Sequence, residues 1–239
     1  MTGVQTCALP ICLDDLWKVS KKSIDLLRKN WDPASGTPVF TQAGSYTSRG
    51  WTEWTQGFQY GCALYLFEAT GDEEYLEYGR NETMKRMAPH VTHVGVHDHG
   101  FNNVSTYGNL LRMMSEGTIP EDPWQRETYE LALKLSGAVQ ASRWTRLPDG
   151  LGYVCSFNGP HSLFSDTIRS MRALAIGHQL GHVLMGEQDE KISLLGRLLR
   201  HAETTARYNV YAGRQADGSI RDAYDVRGRV VHERSEERR

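Results

Sequence analysis

Cysteine is scarce in this chain of 239 residues: there are four, with none spaced as Cys-x-x-Cys. Cys7 and Cys12 lie in an N-terminal stretch that does not read as part of a fold, which leaves Cys62 and Cys155. Two isolated thiols exclude a disulfide framework and a zinc knuckle; both read as small buried side chains, and the redox compartment stays open. Long apolar runs are also lacking. None approaches the roughly 20 residues needed to cross a bilayer, so no membrane partner is expected. Neither sign of charge dominates, since 27 Lys and Arg face 29 Asp and Glu for a formal net charge of −2. Without a basic run, nucleic acid is excluded as the main partner.

The two ends stand apart from the rest. After Met1, "TGVQTCALPI" resembles read-through translation of a common sequencing-library adapter, and the C-terminal "RSEERR" resembles the matching adapter read the other way. Segments of this kind are kept out of fold reasoning. Residues 1–12 and 234–239 are therefore expected to be non-native, and 13–233 to be the N-terminal part of one larger domain. "QTCALPI" has no basic n-region, so it does not read as a signal peptide. Localisation stays unknown, with cytoplasm and periplasm both open.

What is present is helical periodicity. Helices are expected over Leu13–Lys29, ended by Trp31-Asp32-Pro33, then over Glu53–Ala69 with Phe58, Cys62, Leu66 and Phe67 near one face. "TGDE" at Thr70–Glu73 joins the second helix to a third ending near Met87, with Gly71 suited to a C-terminal cap and Asp72 to the next N-cap. Further helices are expected over Asn102–Met114, Pro123–Arg143, Leu163–Met185 and Glu187–Tyr208, the last two split by "MGEQDE" as the earlier pair is by "TGDE". A Gly/Ser/Thr-rich loop fills Pro38–Trp51, and "LPDGLGYVCSF" adds a short β turn. Seven helices with little strand alternation predict an all-α architecture of stacked hairpins.

"VHDHGF" at Val96–Phe101 carries the first candidate chemistry. His90, His93, His97 and His99 cluster within ten residues, but Pro89 and Gly95 interrupt helical spacing and no His-Glu-x-x-His pair is present, so no metal site is expected. Asp98 suits a helix cap. Its partner is Asp166, at the start of "DTIRSMRALAIG", where a carboxylate is also favoured by the helix dipole. Two acidic residues at equivalent ends of separate helices, flanked by glycines and aromatics, fit the carboxylate pair of glycosidic-bond chemistry. A general acid must keep its proton near neutrality, so one of the two must be more enclosed; Asp166 is expected to be that residue. Trp51, Trp54, Tyr107, Trp144 and Phe157 supply flat faces for a sugar.

Taken together, "WTQGFQYGCALYLFEATGDEEYL", "HDHGFNNVSTYG" and "HAETTARYNVYAGRQADGS" resemble, in order and spacing, segments of the unsaturated glucuronyl hydrolase family and its unsaturated rhamnogalacturonyl relatives, over most of Trp51–Ser219. The resemblance implies an (α/α) toroid of six helical hairpins with the active site at one end of the ring. It implies an oligosaccharide substrate ending in a 4,5-unsaturated uronic acid, cleaved by hydration of the vinyl ether bond, with no cofactor. On that model Asp166 donates a proton to C4 and helps deprotonate the water attacking C5, while Asp98 bonds the substrate and holds its partner's protonation state. Trp54 and His97 match substrate-contacting positions, and Phe157 stands near an aromatic of the family pattern.

The chain departs from that pattern at "DTIRSMR", where relatives continue Asp-Asn-Met-Met-Asn, and after "DGS", where an aromatic-His pair is replaced by "IRD". The family's carboxylate-binding segment lies further C-terminal. Two other functions stay in view: a toroid glycosidase acting on saturated glucuronides or other sugars, and a non-catalytic carbohydrate-binding toroid; a metal-dependent hydrolase is a third. Seven helices of an expected twelve leave apolar faces uncovered at about 25 cal/mol per Å², so residues 13–233 alone are expected to be unstable and inactive.

Overall fold

The structure, a computed structural model, describes residues 8–48, 54–210, 223–224 and 230–231. They fall into two units, Met1–Val91 with Phe101–Ala132, and Thr92–Gly100 with Leu133–Arg239.

In the first unit, helix α1 (Ala8–Asn30) stops where the sequence predicts. Pro33 cannot continue it, and the Asp32 carboxylate instead accepts from the Ala34 N–H at 2.9 Å to start one 3₁₀ turn, Pro33–Ser35. The stretch from Pro38, expected to be a loop, forms a hairpin of β1 (Pro38–Gln42) and β2 (Ser45–Ser48). Helices α2 (Gln56–Thr70) and α3 (Glu73–Arg86) form the predicted αα hairpin. Gly71 takes the left-handed conformation at φ 73°, with its N–H on the Phe67 carbonyl, and the Asp72 side chain caps α3 by accepting from Glu74 N–H.

The buried face of α2 is the expected one only in part, since Leu66 and Phe67 lie on it. Tyr60, Ala63, Leu64, Leu66 and Phe67 are buried, while Phe58 and Cys62 point outward. The glycines of "GFQYG" set this orientation. A Cβ on Gly57 would lie 2.3 Å from Asn102 Cα, and one on Gly61 would lie 2.6 Å from the Ser105 carbonyl. Two glycines one helical turn apart thus seat α2 on the 102–105 backbone, where Gly57 N–H donates to the Asn102 side chain at 2.9 Å. After α4 (Ala88–Val91), the helix expected from Asn102 is built as α5 (His99–Asn102), a π turn over Val104–Gly108, and α6 (Asn109–Ser115).

Helix α7 (Pro123–Ser142) has the predicted bounds to one residue, with Asp122 capping Gln125 N–H. In the second unit, β3 (Trp144–Arg146) and β4 (Gly152–Val154) form a hairpin around the expected turn. The single helix expected over Leu163–Met185 is replaced by a loop, α8 (Thr167–Ser170) and α9 (Arg172–Gln179). "MGEQDE" is not a helix-to-helix turn: it joins β5 (Leu184–Met185) to β6 (Lys191–Ile192) through a short loop in which Gln188 and Asp189 are both at positive φ. Helix α10 (Leu194–Asn209) follows, capped by Ser193 on Gly196 N–H, then a short pair of β7 (Ala223–Tyr224) and β8 (Val230–Val231). The core of this unit is Ala141, Val154, Met171, Leu174 and Leu194. Gly137 and Gly177 permit close packing there, since a Cβ on either would meet Ala173 O or Leu194 Cδ1 at 2.8 Å. Residues 51 and 211–219, including Trp51 and the "GRQADGS" motif, lie outside the described residues.

Candidate active site

Residues 97 and 98 precede α5 in the second unit, and His99, Gly100 and Arg143 fix that turn. His99 Nε2 is 2.9 Å from the His93 carbonyl, which can only accept, so Nε2 carries the proton; Nδ1 then accepts from Ser136 Oγ at 2.9 Å. Gly100 lies directly on α8, where a Cβ would stand 2.5 Å from Ser170 Cα. The Arg143 guanidinium donates to the carbonyls of Val94, Cys155 and Ser156, tying the turn to the exit of β4. The two histidines of "HDH" therefore differ. His99 is an internal strut, and His97 is left to face the acidic residues.

The loop before α8 is fixed as firmly. Ser156 and Ser162 bond through both backbone and hydroxyls, and Pro160 O accepts from Tyr153 and Thr145 hydroxyls at 2.8 and 2.5 Å. Asp166 occupies the N-cap position of α8, yet its backbone is already helical and its side chain accepts no backbone N–H. A four-residue helix that starts without a side-chain cap leaves the carboxylate available to other partners.

Those partners define the site. His97 Nε2 is 3.1 Å from Asp166 Oδ1 and 3.6 Å from Asp98 Oδ1. Only the first distance is within normal hydrogen-bond range, so the Nε2–H goes to Asp166. Nδ1 is buried with no hydrogen-bond partner, which favours leaving that nitrogen bare. On the other side, Arg169 Nη2 approaches Asp166 Oδ2 at 3.7 Å. The two Oδ1 atoms can be no further apart than the two His97 distances laid end to end. That is near or below the short end of the ~6.5–9.5 Å at which an inverting pair brackets a water.

Exposure is graded across the cluster, at 1% for the His97 side chain, 11% for Asp98 and 26% for Asp166. The more enclosed carboxylate is Asp98, not Asp166 as expected from sequence, because Asp98 sits in the turn pinned by His99 and Gly100 while Asp166 ends an open loop. His97 is covered by Phe157, stacked at 5.8 Å and 15°, and by Phe164, edge-on at 6.0 Å and 88°. The ring expected to touch substrate is thus buried, and the aromatic faces above it are the exposed ones, Phe157 at 58%. Beneath the site His201 is pushed down to about 4 by burial and by the nearby His97; as a neutral ring its Nδ1 accepts the Val154 N–H at 3.1 Å.

Trp54 belongs to the first unit, where its half-exposed indole stands edge-on to Phe58 at 5.7 Å and to Phe101 at 6.1 Å. Among the described residues no group of three or more His, Cys, Asp or Glu is arranged to hold a metal ion, and none of their helices is long and apolar enough to cross a membrane. Sequence reasoning missed Phe164, Arg169 and Arg143. The first two carried a readable signal, standing two residues before and three after Asp166.

The sequence matches no protein-family model and no curated protein. Its structure is similar to three solved hydrolases. An unsaturated glucuronyl hydrolase specific for heparin is 21% identical with a TM-score of 0.58, covering 92% of this chain and 55% of its own. One from Streptococcus agalactiae is 16% identical with a TM-score of 0.61, covering 92% and 52%. A third, from Bacillus sp. GL1 and responsible for the degradation of glycosaminoglycan, is 18% identical with a TM-score of 0.56, covering 90% and 54%. The chain thus carries the all-α fold of the unsaturated glucuronyl hydrolases, over a little more than half of their length.

Proposed function

We propose that this chain is the N-terminal part of a glycoside hydrolase that removes a terminal 4,5-unsaturated uronic acid from oligosaccharides by hydrating its vinyl ether bond. The observation that carries the reading is the single imidazole, His97, holding Asp166 by one oxygen with Asp98 beside it. The shared fold supports it. Asp166 has one oxygen turned inward to a proton donor and one turned outward, which suits a group that first gives and then takes a proton. Its carboxyl transfers a proton to C4, the developing positive charge spreads over C5 and the ring oxygen, and water adds at C5 while the Asp166 carboxylate takes its proton. The hemiketal formed at C5 opens and the linked sugar leaves from C1, so one water is consumed and Asp166 returns to its starting state. Asp98 bonds the sugar. Phe157 and Phe164 cover His97 and offer the sugar a flat face. His97 acts here by orienting Asp166.

The test uses the full-length protein and an unsaturated uronyl disaccharide, following loss of the ultraviolet absorbance of the conjugated C4=C5 bond. Asp166→Asn and Asp98→Asn should each lower kcat by about 10²–10⁴-fold while substrate still binds. Turnover of saturated glucuronides in preference to the unsaturated sugar would replace this reading with direct glycosidic attack. Unchanged affinity with no turnover in the wild-type protein would make it a binding module.

A further inference from the structure

We infer that Arg146, Arg197 and Arg200 form a binding site for a tetrahedral oxyanion, a phosphate or sulfate group that is either free or carried on a sugar. The inference is independent of the unsaturated-uronyl reading. All three residues belong to the second unit, and the backbone brings them together. Trp144 and Arg146 stand two apart on β3 and so share one face of the β3–β4 hairpin. The Trp144 indole lies over Gly152, where a Cβ would meet its ring at 2.4 Å, and Gly152 is the strand partner of Arg146. The Arg197 guanidinium sits over that same indole, 5.1 Å from its centroid. Arg200 follows Arg197 by three residues and so shares its side of α10. Its Nη1 is turned back along the helix, 4.0 Å from the position of a Cβ on Gly196.

Among the described residues this cluster has no paired counter-charge. Arg197 is 9% exposed, and its guanidinium donates to the Ala141 carbonyl near the end of α7. The acids nearby are committed elsewhere. Asp149 and Glu203 both pair with Arg207, at 2.8 and 3.5 Å, and Glu190 turns its Oε2 to Gly186, 3.2 Å from the position of a Cβ there. Burying a charge without a paired partner is costly. Burial first, then the neighbouring charge of Arg146, hold the Arg197 guanidinium below its usual pKa, against the pull of Glu190. Arg197 also stands near the N-terminal end of α10, where a cation is disfavoured and an anion favoured.

The geometry also selects the class of ligand. A guanidinium is planar, keeps its charge and offers paired N–H groups to oxygen. A carboxylate has two oxygens and satisfies one such fork, whereas a phosphate or sulfate group presents three or more and can be held by several. Arg146 and Arg200 are exposed, so the ligand reaches them from solvent. Arg197, held between the Trp144 ring and the Ala141 carbonyl, is ordered before anything binds, which lowers the entropic cost of binding. A bound oxyanion removes the repulsion among the three cations and supplies the negative charge that the end of α10 favours.

The test uses the full-length protein, wild-type and with Arg146→Gln and Arg200→Gln combined; Arg197 is left in place because it also holds the end of α7. Calorimetry measures binding of inorganic phosphate, inorganic sulfate and a sulfated N-acetylglucosamine, and Tm is followed in phosphate and in sodium chloride of equal ionic strength. The wild type should bind at least one of the three saturably, and the double variant about 10–100-fold more weakly, as expected for lost hydrogen bonds to a charged group. In chloride the double variant should melt no lower than the wild type, since it loses only repulsion, and in phosphate the wild type should gain Tm that the variant does not. Phosphate and sulfate stabilise any protein by exclusion from its surface, so an equal rise in both proteins, or no saturable binding to the wild type, would overturn the inference. A double variant that melts well below the wild type in chloride would also overturn it, because the two arginines would then be paired within the protein. Tighter binding of the sugar sulfate than of the free ions assigns the site to a sulfated sugar, and the reverse assigns it to a free oxyanion.

Discussion

Gly100→Ala tests how the chain places its two carboxylates. A Cβ on residue 100 would stand 2.5 Å from Ser170 Cα, 2.9 Å from Ser170 O and 3.0 Å from Ser170 C. All three are backbone atoms, so no rotamer change can relieve the contact. Ordinary carbon–carbon contact is about 3.5–4.0 Å, and α8 must therefore withdraw by about 1 Å. Asp166 stands at the start of that helix and moves with it, stretching its 3.1 Å contact with His97 beyond hydrogen-bond range. Overpacking of this kind costs about 1–3 kcal/mol, or about 2–4 °C of Tm per kcal/mol in a domain of this size. A reacting group displaced by about 1 Å loses about 10²-fold in rate. Thermal melts and kcat on the unsaturated disaccharide measure the two effects together in the full-length protein. A Gly100→Ala protein with wild-type Tm and wild-type turnover would refute the claim that this glycine seats the acidic pair.

Two further outcomes follow from the histidines. His97→Phe keeps a ring between Phe157 and Phe164 but removes the N–H from Asp166, so turnover should fall about 10²-fold; wild-type kcat in that variant would show that Asp166 is oriented by something else. His201 binds its proton less tightly folded, at about 4, than unfolded, at the ordinary 6.5. Stability contributed by the neutral ring is therefore full above about 6.5 and is lost as pH falls toward 4, by about 3 kcal/mol in all. Denaturant melts at several pH values should show this loss in the wild type and a shallower one in His201→Gln, and equal slopes would rule His201 out as its source.

The parts of the fold legible in the sequence were those fixed by local chemistry. Gly71 and Asp72 end one helix and begin the next because only the left-handed residue and the side-chain acceptor at those positions satisfy the free backbone groups. The Leu163–Met185 stretch misleads for the opposite reason, since its apolar spacing continues through a genuine stop. Gly181 sits at φ 73°, its N–H bonds His178 O, and His182 N–H bonds Gly177 O, which closes α9 before the apolar residues run out. The hairpin that follows turns on Gln188 and Asp189, a pair that does not announce positive φ as Asn-Gly does. Within the candidate site, residue types were readable and roles were not. Nothing local distinguishes His97 from His99; what separates them is Ser136 and the His93 carbonyl on one side and Asp166 on the other.

The same packing bears on how a helix-start carboxylate can serve as an acid. The dipole of a long, capped helix would favour its charge, but α8 has only four residues and Asp166 accepts none of its N–H groups. One imidazole proton is offered to two carboxylates, and it is directed to the more open of them. Asp98 is thereby kept within reach without competing for the same hydrogen, at 3.6 Å from the shared nitrogen.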